Sequence, residues 1–419
     1  MATKRGPQRG SRAGVLVAPH SKELSLVSFV DEQSIVSISN SIKDPVLALR
    51  PYTLAPHRAS VKLNQNENPW DAPAEIKLET LNRMKDRAWS RYPDFTPQRL
   101  HERLAKFSGW QPDGVIAGNG SNELIQALLM VTIGEGKRVL ITEPTFALYR
   151  QITTVLGGEV VSVPLSRDLQ FDVAALLEEI EQKQPAVTII CSPNNPTGCV
   201  ISDEELVVLL KAARGLIVVD EAYHEFAHPG SPARGPRWRS AAGVANGQPG
   251  WGGGHSAVPL LSDHENLIVL RTFSKAMALA ALRVGYLLAS PELVGEIAKA
   301  VLPYNLNALS QTAAEVAIDM FEAKLQPLVE AICAERDRLY VELASIPGLV
   351  PVQSQANFMV VRSNKEPKRV FAELLKRDIL IRDVSGYPML KDYFRVSVGT
   401  PEENDLLIRA LREIFEMKE

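Results

Sequence analysis

Along most of this chain, short apolar runs alternate with longer stretches whose apolar positions recur every three or four residues. The runs at 114–118, 138–142, 159–163, 186–191, 216–219 and 266–270 read as strands, and the one at 266–270 is short, apolar and β-rich, as a strand buried on both faces is. The stretches between most of them are periodic in the helical sense. Strand and helix in alternation predict a mainly parallel sheet with helices on both faces, which binds ligands beyond the carboxyl ends of its strands. Residues 76–89, 291–301, 309–320 and 325–343 also read as helices, and 276–290 as an apolar helical run interrupted by Arg283 and too short to span a bilayer. A smaller α+β part follows. Its strands fall at 357–361 and 394–398, its helix at 370–377, and a last helix at 405–417 is capped by Gly399-Thr400-Pro401-Glu402-Glu403-Asn404.

Two segments break the pattern. Residues 1–41 open with Lys4, Arg5, Arg9 and Arg12, have no acidic residue before Glu23, and lack the flanks of a secretory signal, so they read as an extension outside the fold. Between 228 and 262 the composition shifts to glycine, proline, serine and alanine, which suits a surface insertion in which Trp238 and Trp251 dock locally. The expected organisation is therefore an extension at 1–44, an N-terminal arm with part of a small domain at 45–90, a large domain at 91–304 carrying the insertion, and linking helices with a small domain at 305–419.

With 419 residues, 45% of them hydrophobic, the chain can bury a large core, and its net charge of −3 leaves no basic surplus to attract nucleic acid or anionic lipid. Cys191, Cys199 and Cys333 are too scattered for a disulfide framework, and no Cys/His spacing matches a zinc site. A reducing cytoplasm fits this cysteine usage.

The polar residues that follow successive strands share one chemical logic. After 138–142 stands Glu143-Pro144-Thr145-Phe146, after 186–191 Ser192-Pro193-Asn194-Asn195-Pro196-Thr197-Gly198, after 216–219 Asp220-Glu221-Ala222-Tyr223, and after 266–270 Arg271-Thr272-Phe273-Ser274-Lys275. A lysine just past a buried strand is desolvated, which lowers its pKa and leaves a neutral amine able to attack an aldehyde. Ser274 and Arg283 supply a hydroxyl and a guanidinium suited to a phosphate. The turn Gly118-Asn119-Gly120-Ser121-Asn122, at the start of a helix, is a second anion site, with neither the Walker spacing nor a full G-x-G-x-x-G. An aldehyde bearing a phosphate is pyridoxal phosphate. Its pyridine nitrogen needs a buried carboxylate such as Asp220, its phenolic oxygen needs donors such as Asn195 and Tyr223, and its ring face accepts an aromatic lid such as Phe146. Singly, each has an ordinary reading: Asp220 as a helix cap, Asn195 as a turn amide, Phe146 as core. Their succession at strand ends favours the cofactor.

Several ordered motifs, LNQNENP, RYPD, GNGSNE, EPTFALY, SPNNPTG, VVDEAYHEF, RTFSKAMALAALRVGY and FRVSVGTPEE, resemble those of the fold type I pyridoxal-phosphate-dependent aminotransferases, and within them the histidinol-phosphate aminotransferase group. The resemblance runs from Asp44 to the C-terminus. It implies an α/β fold, with a large domain on a mainly parallel seven-stranded sheet flanked by helices and a smaller α+β domain. By motif position, Lys275 would bond to the cofactor aldehyde and act as the catalytic base, Asp220 would pair with the pyridine nitrogen, Asn195 and Tyr223 would bind the phenolic oxygen, and Phe146 would stack on the ring. Ser274, Arg283 and the backbone of Ser121 and Asn122 would hold the phosphate, with Tyr92 reaching in from a second subunit of a homodimer. Arg395 would take the amino-acid carboxylate, and Arg382 a distal carboxylate or phosphate. Asn68, with Trp70, lies where relatives often place a pocket tyrosine, and is a substrate-contact candidate. Ala278 and Ala281 replace glycines frequent in the family.

The implied activity is transamination between histidinol phosphate and 2-oxoglutarate, in the cytoplasm, with small-molecule partners and neither nucleic acid nor membrane. An aromatic amino-acid aminotransferase and a phosphothreonine decarboxylase share the scaffold. So does the effector domain of some transcription regulators, which carry a winged-helix domain for which the residues before Asp44 are too few.

Overall fold

The computed structural model describes residues 41–51, 53, 56–227 and 256–416, so the extension at 1–40 and most of the insertion, including Trp238 and Trp251, lie outside the described residues. The chain divides after Leu47 into two units. What is described of the first is a single helical turn, α1 (Asp44–Leu47). The second begins with β1 (Val61–Lys62), α2 (Ala74–Lys85) and α3 (Gln98–Ser108). There follow β2 (Val115–Gly118), α4 (Ser121–Thr132), β3 (Arg138–Glu143), α5 (Leu148–Leu156), β4 (Glu159–Pro164), α6 (Val173–Lys183), β5 (Val187–Cys191), α7 (Asp203–Ala212) and β6 (Leu216–Asp220). Then come β7 (Leu267–Thr272), β8 (Gly285–Leu288), α8 (Pro291–Ala298), α9 (Ala308–Asp319) and α10 (Gln326–Ala344). The chain closes with β9 (Leu349–Pro351), β10 (Phe358–Ser363), α11 (Pro367–Lys376), β11 (Ile379–Leu380), β12 (Arg382–Asp383), β13 (Tyr393–Ser397) and α12 (Pro401–Glu416).

A seven-stranded sheet runs in the order β2-β8-β7-β6-β5-β3-β4. Its pairs from β7 to β4 are parallel, while β8 is antiparallel to both neighbours. Side chains alternate between two cores. Val218, Ile268 and Leu270 pack with apolar residues of α4 and α8, whereas Ile217, Val219, Leu267 and Val269 pack with those of α3, α6, α7 and α9. Leu267, Ile268, Val269 and Leu270 are fully buried, and each such side chain contributes on the order of 1.5–3 kcal/mol. This is the physical reason that the strands are unbroken apolar runs.

Two expectations are corrected. The run at 276–290 is not helical: it forms a 3₁₀ turn at Ala280–Leu282 and then β8. All four residues of β8 are buried, between β2 and β7, and an apolar run covered on every side carries no period to separate strand from helix. The last helix starts at Pro401, not 405. Thr400 and Glu403 exchange reciprocal side-chain to backbone hydrogen bonds, a capping box with proline at the first helical position.

The smaller sheet, β12-β13-β10-β9, is antiparallel throughout and packs its apolar face on α10, α11 and α12. Beside it β1 pairs in parallel with β11, which brings the segment after Val61 to the strands of the C-terminal part. A further cluster of Tyr223, Phe226, Ala276, Ile332, Cys333, Phe358 and Val398 joins the strand ends of the large sheet to the smaller one.

Close backbone approach explains one glycine. A Cβ on Gly285 would fall onto the amide nitrogen of Ser121 at the start of α4. Gly285→Ala is therefore expected to destabilise the protein by about 1–3 kcal/mol and to displace the α4 N-terminus. Denaturant unfolding measures the first effect, and inorganic phosphate affinity the second; a variant unchanged in both contradicts the packing described.

Candidate active site

A cavity of about 350 Å³ opens where the carboxyl ends of β3, β5, β6 and β7 meet the α4 N-terminus and the smaller sheet. Of the residues singled out in the sequence, Ser121, Asn122, Phe146, Asn195, Asp220, Tyr223, Ser274, Lys275, Arg283, Arg382 and Arg395 all line it.

Asp220 ends β6 and is 3% exposed. Its Oδ2 accepts the hydroxyl of Tyr149 at 2.6 Å and its Oδ1 the amide of Ala222 at 3.1 Å. Burial raises its pKa to about 6, against the pull of these two donors. Among the described residues no lysine or arginine pairs with it, so a cationic ring nitrogen arriving from the cavity would find an uncompensated acid.

Lys275 follows β7, and its Nζ donates to the backbone carbonyl of Gln65 at 2.9 Å. Desolvation, with the positive charge of Arg395 second, lowers its pKa to about 7. A neutral amine is therefore accessible near physiological pH.

Tyr223 and Asn195 form one network. The tyrosine hydroxyl accepts from Asn195 at 3.3 Å and Asn66 at 3.2 Å, which leaves its own proton to donate. Burial raises the Tyr223 pKa well above that of free tyrosine, so the hydroxyl stays protonated. Asn195 Oδ1 in turn accepts from Arg395 at 2.6 Å, and Arg395 donates to the carbonyl of Asn64 at 2.8 Å. Phe146 stands edge-on to Tyr149 with centroids 5.5 Å apart.

At the other end of the cavity is an anion cradle. Gly120, at φ 80°, caps α4 without any side-chain bond, and the amides of Ser121 and Asn122 have no acceptor among the described residues. A Cβ on Gly120 would lie 2.5 Å from Arg283 Nη2, so glycine lets the guanidinium close over this helix end. Arg283, itself left-handed at φ 53°, donates to Ser274 Oγ at 3.1 Å.

Two candidates fall elsewhere. Tyr92 is 78% exposed and stacks on Tyr304 at 4.5 Å, away from the cavity of its own chain. Asn68, expected at the substrate, is not a lining residue: its Oδ1 accepts the Trp70 amide at 3.0 Å and its amide group faces the carbonyls of Lys275 and Ala276, where it braces the lysine turn. Sequence reasoning missed Tyr149, Asn66 and Gln65. Tyr149 stood inside the quoted EPTFALY motif; its place three residues after Phe146, at the first turn of α5, was the available signal. Among the described residues no group of three acidic, histidine or cysteine side chains could hold a metal ion, and no helix is long and apolar enough to cross a membrane.

A mainly parallel sheet with a lysine, an acid, an amide and a phosphate-sized cradle at its strand ends defines a fold type I pyridoxal-phosphate-dependent enzyme. Residues 58–411 match the aminotransferase class I and II family, and the chain belongs to it. The histidinol-phosphate aminotransferase of Chlorobaculum tepidum is 37% identical over 356 residues, covering 85% of this chain and 94% of that protein. That of Chlorobium phaeobacteroides is 37% identical over 355 residues, 85% of this chain and 91% of its own. The histidinol-phosphate aminotransferase of Sinorhizobium meliloti, solved with pyridoxal-5'-phosphate, superposes with a TM-score of 0.76 at 24% identity, covering 89% of this chain and 97% of that one.

The lowered pKa of Lys275 generates a test. The neutral amine is the attacking form, and with a pKa of about 7 its fraction rises about tenfold from pH 6 to pH 8 and then saturates. Capture of pyridoxal phosphate by the cofactor-free protein, followed by absorbance, is expected to follow that curve. A rate still climbing in proportion to hydroxide up to pH 10 contradicts it.

Proposed function

We propose that this chain is a pyridoxal-phosphate-dependent transaminase that exchanges an amino group between L-histidinol phosphate and 2-oxoglutarate, in the histidine biosynthesis of the cytoplasm. The observation that carries the reading is the opposition of Arg382 on β12 to Arg395 on β13. Directly opposed residues of an antiparallel pair share a face, and like charges there repel unless an anion lies between them. Both line the cavity, and no carboxylate among the described residues forms a salt bridge with Arg382. Dianionic substrates suit such a pair: glutamate with two carboxylates, histidinol phosphate with its phosphate. The names of the relatives point to the same substrates.

The residues present fit the cofactor. The buried Asp220 carboxylate, with no cation of its own, suits a protonated pyridine nitrogen; the open amides of Ser121 and Asn122, with Ser274 and Arg283, suit a phosphate; Tyr223 and Asn195 suit the phenolic oxygen; and Phe146 lies beside the space for the ring. When bound, pyridoxal phosphate supplies an electron sink for the carbon that carries the amino group. Asp220 keeps that sink charged. Lys275 Nζ, whose pKa burial lowers toward neutrality, is the base that takes the proton from the substrate carbon. Arg395, its guanidinium steadied by Asn195 and Asn64, holds the α-carboxylate of glutamate, and Arg382 holds either the side-chain carboxylate of glutamate or the phosphate of histidinol phosphate, which has no carboxylate. We further infer a homodimer in which Tyr92 completes the phosphate site of the partner subunit; its exposure, with that of Trp89, Phe95 and Leu302, supports this.

Lys275→Ala is expected to abolish both turnover and the borohydride-trappable cofactor adduct; an adduct formed without Lys275 overturns its role. Asp220→Asn should lower the single-turnover rate far more than cofactor affinity. Arg382→Ala leaves an anion unpaired at a cost of about 2–5 kcal/mol, a rise in KM of roughly thirtyfold or more for histidinol phosphate and glutamate, with little change for phenylalanine. Equal losses on all three substrates would make Arg382 structural, and a wild type that prefers phenylalanine would move the activity to aromatic transamination.

A further inference from the structure

On the side of the large sheet turned away from the cavity, Glu221 and Arg271 form a buried ion pair at 2.9 Å, with the residues 1% and 3% exposed. Each stands next to the chemistry. Glu221 follows Asp220, and Arg271 precedes Lys275 by four residues on β7. The register sets Asp220 against Leu270, and the Glu221 amide donates to the Leu270 carbonyl at 2.8 Å, so the ladder between β6 and β7 extends one step beyond Asp220. Because side chains alternate, Asp220 points with Leu270 to one face while Glu221 and Arg271 point to the other. Every charged atom of the pair is answered. Glu221 Oε2 also accepts from Ser256 Oγ at 3.0 Å and Oε1 from the Ala257 amide at 2.6 Å; the arginine gives its remaining donors to Ser256 at 2.7 Å, Ser108 at 3.4 Å and Tyr286 at 3.5 Å.

We propose that Arg271 and Glu221 are positioning residues for Asp220 and Lys275: their ion pair locks the ends of β6 and β7 together and cancels the charge of Glu221 beside Asp220. The inference rests on the cofactor-dependent reading of the site. A buried pair broken on one side leaves an uncompensated charge, and here that charge sits one residue from the acid that faces the ring. The negative charge of Glu221 acts to raise the Asp220 pKa, so its neutralisation matters to that group. The other ionisable groups facing Asp220 are Tyr149 on α5, Cys191 on β5 and Tyr223 after β6; burial keeps each of them protonated and neutral. Glu225 adds an acid on the Arg271 side. Among these neighbours, Arg271 supplies the compensating positive charge.

The test is the pH titration of the visible absorbance of the holoenzyme, whose midpoint responds to net charge around the ring. Arg271→Met leaves Glu221 unpaired and should raise the midpoint by about one unit, as a unit charge several ångströms away does at an effective dielectric near 20. Glu221→Gln leaves Arg271 unpaired and should lower it by about as much. The double variant restores balance and should return to within about 0.3 unit of wild type. Shifts of the same sign in both single variants, or no shift in either, overturn the proposal, since a purely structural role has no reason to change sign with the charge. Where a single variant fails to fold, Arg271→Lys and the double variant carry the test: both preserve net charge and are expected to hold the midpoint, and a full-unit shift in either overturns the inference. A wild type without a visible band removes the cofactor reading and this inference together; a band whose midpoint ignores the pair removes the inference alone.

Discussion

The register among three parallel strands is the constraint on which the site depends. Cys191, Asp220 and Leu270 lie abreast across β5, β6 and β7, so β5 and β6 end at one level while β7 runs two residues further, to Thr272. A slip of one residue in any of them would turn every side chain to the opposite face. Asp220 would then point at the core of α6 and α7 instead of the cavity. The apolar runs that make these strands thus also aim the polar residues that follow them, and β5 and β7, buried along their whole length, are tightly specified.

Given that register, the two ends of the cavity work by different physics. At the α4 N-terminus the attraction is for negative charge, from unanswered amides and from a guanidinium that glycine admits at close range. At the β6 and β7 ends, burial does the work: it holds the acid above its ordinary pKa and the lysine below, so that a cation beside the acid and loss of the proton from the amine are both favoured. A ligand with an anionic tail and a cationic, aldehyde-bearing ring is complementary to this division.

Much of this was legible in the sequence. Six of the seven strands of the large sheet show as apolar runs, and the polar clusters after them contain about half of the lining residues, because a parallel sheet collects successive strand ends on one side. The seventh, β8, was hidden, since Gly285-Tyr286-Leu287-Leu288 follows other apolar residues without a turn signal, and only pairing with β2 and β7 makes it a strand. Asn68 bonds to the lysine turn for a related reason. A short amide side chain in a turn bonds to whichever backbone is near, and sequence position carries no sign of which carbonyls will be there. Tyr149 was passed over because a tyrosine on an apolar helix face looks like core, which it also is.

The stretch from Asn64 to Asn66 acts on the site mostly through its main chain. The Asn64 carbonyl receives Arg395, the Gln65 carbonyl receives Lys275, and the Asn66 carbonyl receives Asn357 at 3.1 Å. Three side chains from distant parts of the chain therefore read the path of a tripeptide rather than its identity. At Gln65 this separates two kinds of evolutionary change: many side chains are compatible with holding the lysine, whereas an insertion or deletion of one residue would move all three acceptors at once. Spacing, more than residue type, is what selection has to preserve there.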